Sequence, residues 1–302
     1  MVIIRYNISD MKAIQFKKIK KHFGKVKAVD GISIDIKKGE IFGFLGPNGA
    51  GKTTTIRCMM DFIRPNSGSI TLLGLDSKKD SVELKNKIGY LAPEPRLYDN
   101  LSGREHFQLI EKIRGKGEKK DELVRKLSAD IDQKIKTLST GNKQKISLII
   151  ALMHNPEIVI MDEPTAGLDP LLQNTIYERL LEMKDEGKTI FMSSHNLSEV
   201  EKICGRAAII RKGKLIAVED IKKLNSKRLY KVWVLSKNVE DLKDLKKIKG
   251  VEIETESNSE IYLKVVGRID PIVKYFANKE IDDIRIEHAG LEETFLNFYK
   301  KQ

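Results

Sequence analysis

Apolar and polar residues alternate from Ala13 to about Ile36, with Ile14 and Phe16 and then Ile32, Ile34 and Ile36 in step. A period of two predicts strands. The next apolar run, IFGFLG, is short and unbroken, as a strand covered on both faces should be. It ends at PNGAGK, and TTTIRCMMDFI follows with Ile56, Met59, Met60 and Ile63 at helical spacing. The predicted order is strand, glycine-rich loop, helix. RPNSG reads as a turn and SITLLG as a further strand.

Between residues 77 and 137 the pattern changes. GREHFQLIEKIRG sets Phe107, Ile110 and Ile113 on one helical face, and KDELVRKL is helical among many charges. We read a charged, mostly helical insertion over about residues 77–153, ending in a helix from about Asn142 to Met153. EIVIMDEP then reads as a strand ending in acids and LLQNTIYERLLEMKDEG as an amphipathic helix stopped at Gly187. KTIFMSSH is a strand, LSEVEKICG a short helix, and RAAIIRKGKLIAV two strands about Gly213. Short buried strands alternating with helices predict a largely parallel α/β sheet.

From about residue 220 a second pattern begins. RLYKVWVLS reads as a strand, VEDLKDLKKIKG as a helix, and VEIETES with EIYLKVV as a hairpin about Ser257, Asn258 and Ser259. DPIVKYFANK is a helix with Pro271 near its start, IDDIRIE a strand and LEETFLNFYKK a helix. The order β-α-β-β-α-β with a final helix predicts a small ferredoxin-like α+β domain over residues 220–302. The main domain then covers residues 12–219.

Composition narrows the function classes. A chain of 302 residues can build two cores. No run of eighteen apolar residues is present, so no spanning segment is expected, and MVIIRYNISD is too short and polar for a secretory signal. Cys58 and Cys204 make no disulfide framework; buried free thiols in a reducing cytosol are the expected state. The net charge of +12 arises from lysines interleaved with acids, as in KGEKKDELVRK. No aromatic-studded basic stripe accompanies it, so a solvated mixed-charge surface is expected rather than a nucleic-acid partner.

GPNGAGKT, residues 46–53, matches G-x-x-x-x-G-K-[ST]. Gly46, Pro47, Asn48, Gly49, Ala50 and Gly51 would curl backbone N–H groups around phosphate oxygens, with Lys52, Thr53 and Thr54 opening the helix behind them. Lys52 is placed to reach the β- and γ-phosphates, and Thr53 to offer its hydroxyl to Mg²⁺. A plain glycine turn is the alternative, and the strand before and helix after it argue against that. IVIMDEP puts Asp162 and Glu163 at the carboxyl end of a buried strand, where open parallel sheets hold ligands. Asp162 suits the magnesium shell and Glu163 a general base toward an attacking water; an acid pair capping a helix is the bland reading. TIFMSSH ends at His195, positioned by the same rule to sense a γ-phosphate rather than merely to pack. Far from the loop, Ser139, Thr140 and Gly141 precede a helix. Alone, LSTG reads best as an ordinary cap.

Together these motifs resemble the nucleotide-binding subunits of ABC transporters, over roughly residues 13–218. GPNGAGKT is similar to the Walker A motif, LSTGN to the signature usually written LSGGQ, and IVIMDE to Walker B. AGLD, residues 166–169, resembles the D-loop, and His195 the switch histidine. Phe23, in KKHFGKVKAVDG, stands where the family stacks an aromatic on adenine, though it also reads as an apolar strand-edge residue. The resemblance implies a P-loop NTPase fold, ATP and Mg²⁺ as ligands, ATP hydrolysis, and a head-to-tail dimer with a second copy or a paralogous subunit. In that dimer Lys52, Thr53, Asp162, Glu163 and His195 act from one protomer and Ser139 and Gly141 from the other, with Asp169 linking the sites. It further implies a separate transmembrane permease and a place on the cytoplasmic face of the cell membrane.

GLEETFLNFY resembles the end of an appended domain in drug-exporter and ABC-2-type ATPases, which leans toward export and gives residues 220–302 an accessory or dimer-supporting role. Three positions depart from the family. Pro93 stands in IGYLAPEPRLYDNLSG where a glutamine is usual; Thr140 replaces a glycine and Asn142 a glutamine. Ser139 and Gly141 remain, so the phosphate contacts survive. The competing class is a non-transport ABC ATPase acting on nucleic acid or ribosomes. It fits less well: no long coiled-coil insertion separates the Walker motifs, and the chain has one ATPase domain where translation-type members carry two.

Overall fold

The alternating N-terminal stretch folds into two long antiparallel strands, β1 (Lys12–Phe23) and β2 (Val26–Lys37), with Ile14 opposite Ile36 and Phe16 opposite Ile34. Their register slips between Phe16 and Ile19, where Lys18 takes a φ of 50°. The bulge keeps both apolar residues on the buried face although they are an odd number of positions apart. The next strand, β3 (Ile41–Leu45), leaves this sheet. β4 (Ser67–Leu72) and β5 (Leu75–Asp76) rejoin it, giving the order β2-β1-β4-β5.

The computed structural model describes residues 11–94, 96–225, 229–236, 244–245, 247–257 and 259–289. They divide between Val218 and Glu219 into two units.

A second sheet in the first unit has the order β10-β9-β3-β8-β7-β6. Its members are β6 (Ile88–Leu91), β7 (Ile158–Asp162), β8 (Thr189–Ser194), β9 (Arg206–Arg211) and β10 (Lys214–Asp220) around β3. β3 lies parallel to both β8 and β9, and β7 parallel to β8 and β6. Every residue of β3, β7 and β8 is buried, which is why these strands read as unbroken apolar runs rather than alternating ones. Phe191 of β8 packs against Phe16, Phe42 and Phe44 at centroid distances of 5.3–6.3 Å, joining the cores of the two sheets.

The parallel sheet agrees with expectation; the separate antiparallel sheet was not foreseen. A second difference concerns IGYL. Inside the stretch read as a helical insertion, it forms β6 and pairs with β7. Four apolar residues carry too little periodicity to separate strand from buried helix. Around β6 the segment is helical: α2 (Ser81–Lys87), α3 (Gly103–Arg114), α4 (Lys120–Leu127) and α5 (Thr140–Leu152). These follow α1 (Lys52–Met59) and precede α6 (Pro170–Asp185) and α7 (Leu197–Ile203). α3 starts at a reciprocal cap, Ser102 Oγ accepting from Glu105 N–H and the Glu105 carboxylate from Ser102 N–H. No described helix is long and apolar enough to cross a membrane.

Cys58 and Cys204 are free and buried. Burial pushes the Cys58 thiol up to about 11 and drives Cys204 up further. Thiolate is the reactive form, so an aromatic disulfide reagent at neutral pH should label neither cysteine in the native protein and both after denaturation. Prompt labelling without denaturant would contradict this packing.

In the second unit, α8 (Ile221–Asn225) precedes β11 (Leu229–Leu235), β12 (Val251–Glu256), β13 (Glu260–Val266) and β14 (Asp283–His288). The strand order is β12-β13-β11-β14, all antiparallel, the order of a ferredoxin-like sheet. α9 (Asp270–Phe276) packs Ile272 and Phe276 against Val232, Val234, Ile261, Leu263 and Val265. Half of VEDLKDLKKIKG and all of LEETFLNFYKK lie outside the described residues.

Candidate nucleotide site

The carboxyl end of β3 delivers residues 46–51 into a tight loop under β9 and β2. Two glycines there have no room for a side chain: a Cβ on Gly46 would lie 2.4 Å from Ile210 O, and one on Gly51 2.2 Å from Ala28 O. Gly51 also takes a φ of 105°, which L side chains rarely adopt. Gly51 is the N-cap of α1 and supplies no side-chain cap, so the helix presents N–H groups suited to an anion. Asn48, Gly49, Gly51, Lys52, Thr53 and Thr54 line a cleft of about 560 Å³, closed on the other side by Lys25, Val26, Lys27 and Ala28 of the β1–β2 hairpin.

Lys52 is 5% exposed. Its ammonium donates to Gly46 O (2.7 Å) and Pro47 O (3.1 Å) and stands 3.1 Å from Glu163 Oε1. Asp162 ends β7 fully buried, opposite Ser193 in the register with β8. Ser193 Oγ donates to Asp162 Oδ1 at 2.5 Å and accepts from Glu163 N–H at 3.0 Å, so one hydroxyl holds both acids. Asp162 Oδ2 is buried with no hydrogen-bond partner among the described residues. A buried carboxylate oxygen left over in this way fits a hard cation. Glu163 adopts a φ of 52°, an unusual conformation for a non-glycine residue. Its Oε2 lies 2.6 Å from His195 Nδ1 at the end of β8. A carboxylate only accepts, so the ring nitrogen donates.

The structure therefore gathers the loop, Lys52, Thr53, Asp162, Glu163 and His195 at adjacent strand ends. Other sequence-derived candidates lie elsewhere. Phe23 is half exposed on the β1–β2 hairpin with Lys21 Nζ 5.0 Å from its ring centroid, and it is not part of the cleft lining. Ser139 caps α5 by accepting from Asn142 N–H. Among the described residues nothing requires a glycine at 141, where a Cβ would meet Leu172 Cδ2 at 3.6 Å. The Asn142 side chain is tied to both backbone groups of Asp130. Asp169 caps α6 through Leu172 N–H. Pro93 is exposed. Ser193, Thr165 and Glu199 were missed from the sequence. The one available signal for the first was a pair of hydroxyl residues closing an otherwise apolar strand just before a histidine.

The ABC transporter family profile matches residues 29–166. The chain is 41% identical over 212 residues to the linearmycin resistance ATP-binding protein LnrL of Bacillus subtilis strain 168, covering 68% of each protein. It is 35% identical over 287 residues to the bacitracin transport ATP-binding protein BcrA of Bacillus licheniformis, covering 91% of this chain and 94% of that one. The chain belongs to the ABC transporter ATP-binding proteins. A crystal structure of the ADP conformation of another ABC transporter's ATP-binding cassette matches with a TM-score of 0.62 and 28% identity, over 70% of this chain and 94% of that one. This cassette is accordingly an ATP-binding and ATP-hydrolysing subunit of the ABC class. The similarity to BcrA reaches into the second unit, so that relative shares the appended portion too.

Proposed function

We propose that this ATPase powers export through a separate transmembrane permease, working at the cytoplasmic membrane face as a head-to-tail dimer. The observation that carries the catalytic part is the Glu163 carboxylate, held between the Lys52 ammonium at 3.1 Å and His195 Nδ1 at 2.6 Å. The loop N–H groups and Lys52 bind the triphosphate. Asp162 and Thr53 would hold Mg²⁺, whose charge would offset that of the triphosphate. Phosphate oxygens compete with Glu163 for the Lys52 ammonium. Transfer of Lys52 to them leaves Oε1 free to accept the proton of the attacking water, while His195 keeps Oε2 in place. Ser139 and the N–H groups at the start of α5 close over the γ-phosphate of the partner's nucleotide, and Asp169 links the two sites. ATP favours the closed dimer because it contacts both protomers there, and that differential affinity drives the cycle. Phe23 borders the adenine, and residues 220–302 support the dimer.

Export is supported by the resistance and transport roles named for LnrL and BcrA. Affinity purification from detergent-solubilised membranes tests the partner: a multispanning membrane protein should co-purify. Recovery of ribosomes or DNA in its place would sink the transport reading and favour the non-transport class.

A further inference from the structure

Two loops meet the hydrolytic site from neighbouring strand ends. One follows β7 through Glu163, Pro164 and Thr165 to Asp169. The other follows β8 through Ser194, His195 and Asn196 into α7. Besides the contact of Glu163 with His195, a second carboxylate joins them. Glu199, in the first turn of α7, accepts from Thr165 Oγ1 with Oε1 and from Ser194 Oγ with Oε2, both at 2.7 Å. Both hydroxyl residues are 1% exposed. Ser194 Oγ also accepts from Asn196 N–H at 2.9 Å, closing a turn with His195 at its centre.

On the other side, Thr165 O accepts from Leu168 N–H, and Gln173 Nε2 donates to Thr165 O and Leu168 O, leading to the Asp169 cap of α6. Pro164 O accepts from Gln144 Nε2 of α5. A continuous hydrogen-bonded chain thus runs from the signature helix and the Asp169 loop, through one carboxylate, to the residue beside His195.

We propose that Glu199 is a positioning residue that yokes the His195 turn to the Asp169 loop, so that His195 meets Glu163 in register with the seating of that loop. The proposal rests on the assignment of Glu163 and His195 to hydrolysis. A plainer role is available: an acid in the first turn of a helix favours the helix dipole. That role needs only charge near the N-terminus. It does not need both oxygens engaged with hydroxyls of two different loops, and charge-assisted bonds of this kind fix geometry as well as energy.

The experiment is steady-state ATP hydrolysis with melting temperatures for each variant. Glu199→Ala should lower kcat by about 10- to 100-fold, the scale of a small misplacement of a catalytic group, with the KM for ATP changed by less than about 2-fold. Glu199→Gln keeps an acceptor for one hydroxyl and a donor for the other, and should rescue most of that loss. Thr165→Val and Ser194→Ala should each lower kcat, and should add little in the Glu199→Ala background. A Glu199→Ala enzyme with unchanged kcat, a Gln variant as impaired as Ala, or losses that simply multiply would each overturn the yoke. Should Glu199→Ala not fold, the Gln variant and the Thr165→Val, Ser194→Ala cycle carry the test alone. Glu163→Gln and His195→Ala are run alongside. Normal turnover in those two would fail the catalytic assignment itself, whereas their loss with an indifferent Glu199 would fail only the yoke.

Discussion

Glu163→Gln should bind ATP about as well as the parent protein and hydrolyse it about 100- to 10,000-fold more slowly, the range attributed to a general base. The amide is the same size and keeps an oxygen for the His195 N–H, so the local geometry is retained. What it loses is the capacity to take a proton. It also removes a negative charge that otherwise holds Lys52 and faces the phosphates, so nucleotide affinity has no reason to fall. With binding intact and turnover blocked, ATP-bound dimers should accumulate. Gel filtration with ATP and magnesium should show a dimer that persists in the variant and decays in the parent protein. A variant that turns over normally would mean that the water's proton leaves by another route.

Gly141→Asp separates what one chain needs from what two chains need. Within the protomer there is room for the added Cβ, which among the described residues meets Leu172 Cδ2 at an ordinary 3.6 Å. Residue 141 lies in the first turn of α5, where an acid gains about 0.3–1 kcal/mol from the helix dipole. The variant should therefore melt no lower than the parent protein. Hydrolysis should nonetheless fall by about 100-fold or more, because like charges brought together across an interface cost several kcal/mol.

Lys52→Ala should be inactive for a different reason, the loss of the phosphate cation. Mixed with Gly141→Asp in equal amounts, it should restore activity. Half of the randomly formed dimers are mixed, and each of these has one site built from two sound halves, so recovery of up to about a quarter of the parent rate is expected. No recovery on mixing, or full activity in Gly141→Asp alone, would rule out the shared site.

Much of the site was readable in one dimension because its parts are contiguous. Eight neighbouring residues make the loop, so its motif is legible in one stretch, although the backbone contacts that require glycine at 46 and 51 are made by Ile210 and Ala28 on other strands. Asp162, Glu163 and His195 were legible because each closes a run of apolar residues, and strand ends in a parallel sheet face one edge. Ser193 and Glu199 were not. Partners on the neighbouring strand and its loop lie 31 and 34 residues away, and which hydroxyl faces which carboxylate depends on the register of β7 against β8 and on where α7 begins. IGYL escaped for a related reason, since only its pairing with β7 makes it a strand.

By itself the sequence determined the P-loop, the order of acids and histidine at buried strand ends, the α/β alternation and the later change to an α+β pattern. These are local facts, set by residue type, spacing and periodicity. Tertiary structure decided the rest: that one hydroxyl, Ser193, serves both acids; that Asp162 retains an unpartnered oxygen; that Lys52 and His195 converge on one carboxylate; and that Glu199 spans two loops. Each of these depends on an orientation at hydrogen-bonding distance between residues remote in the chain, and only the packed sheet, by burying the groups and so obliging them to pair, makes that choice.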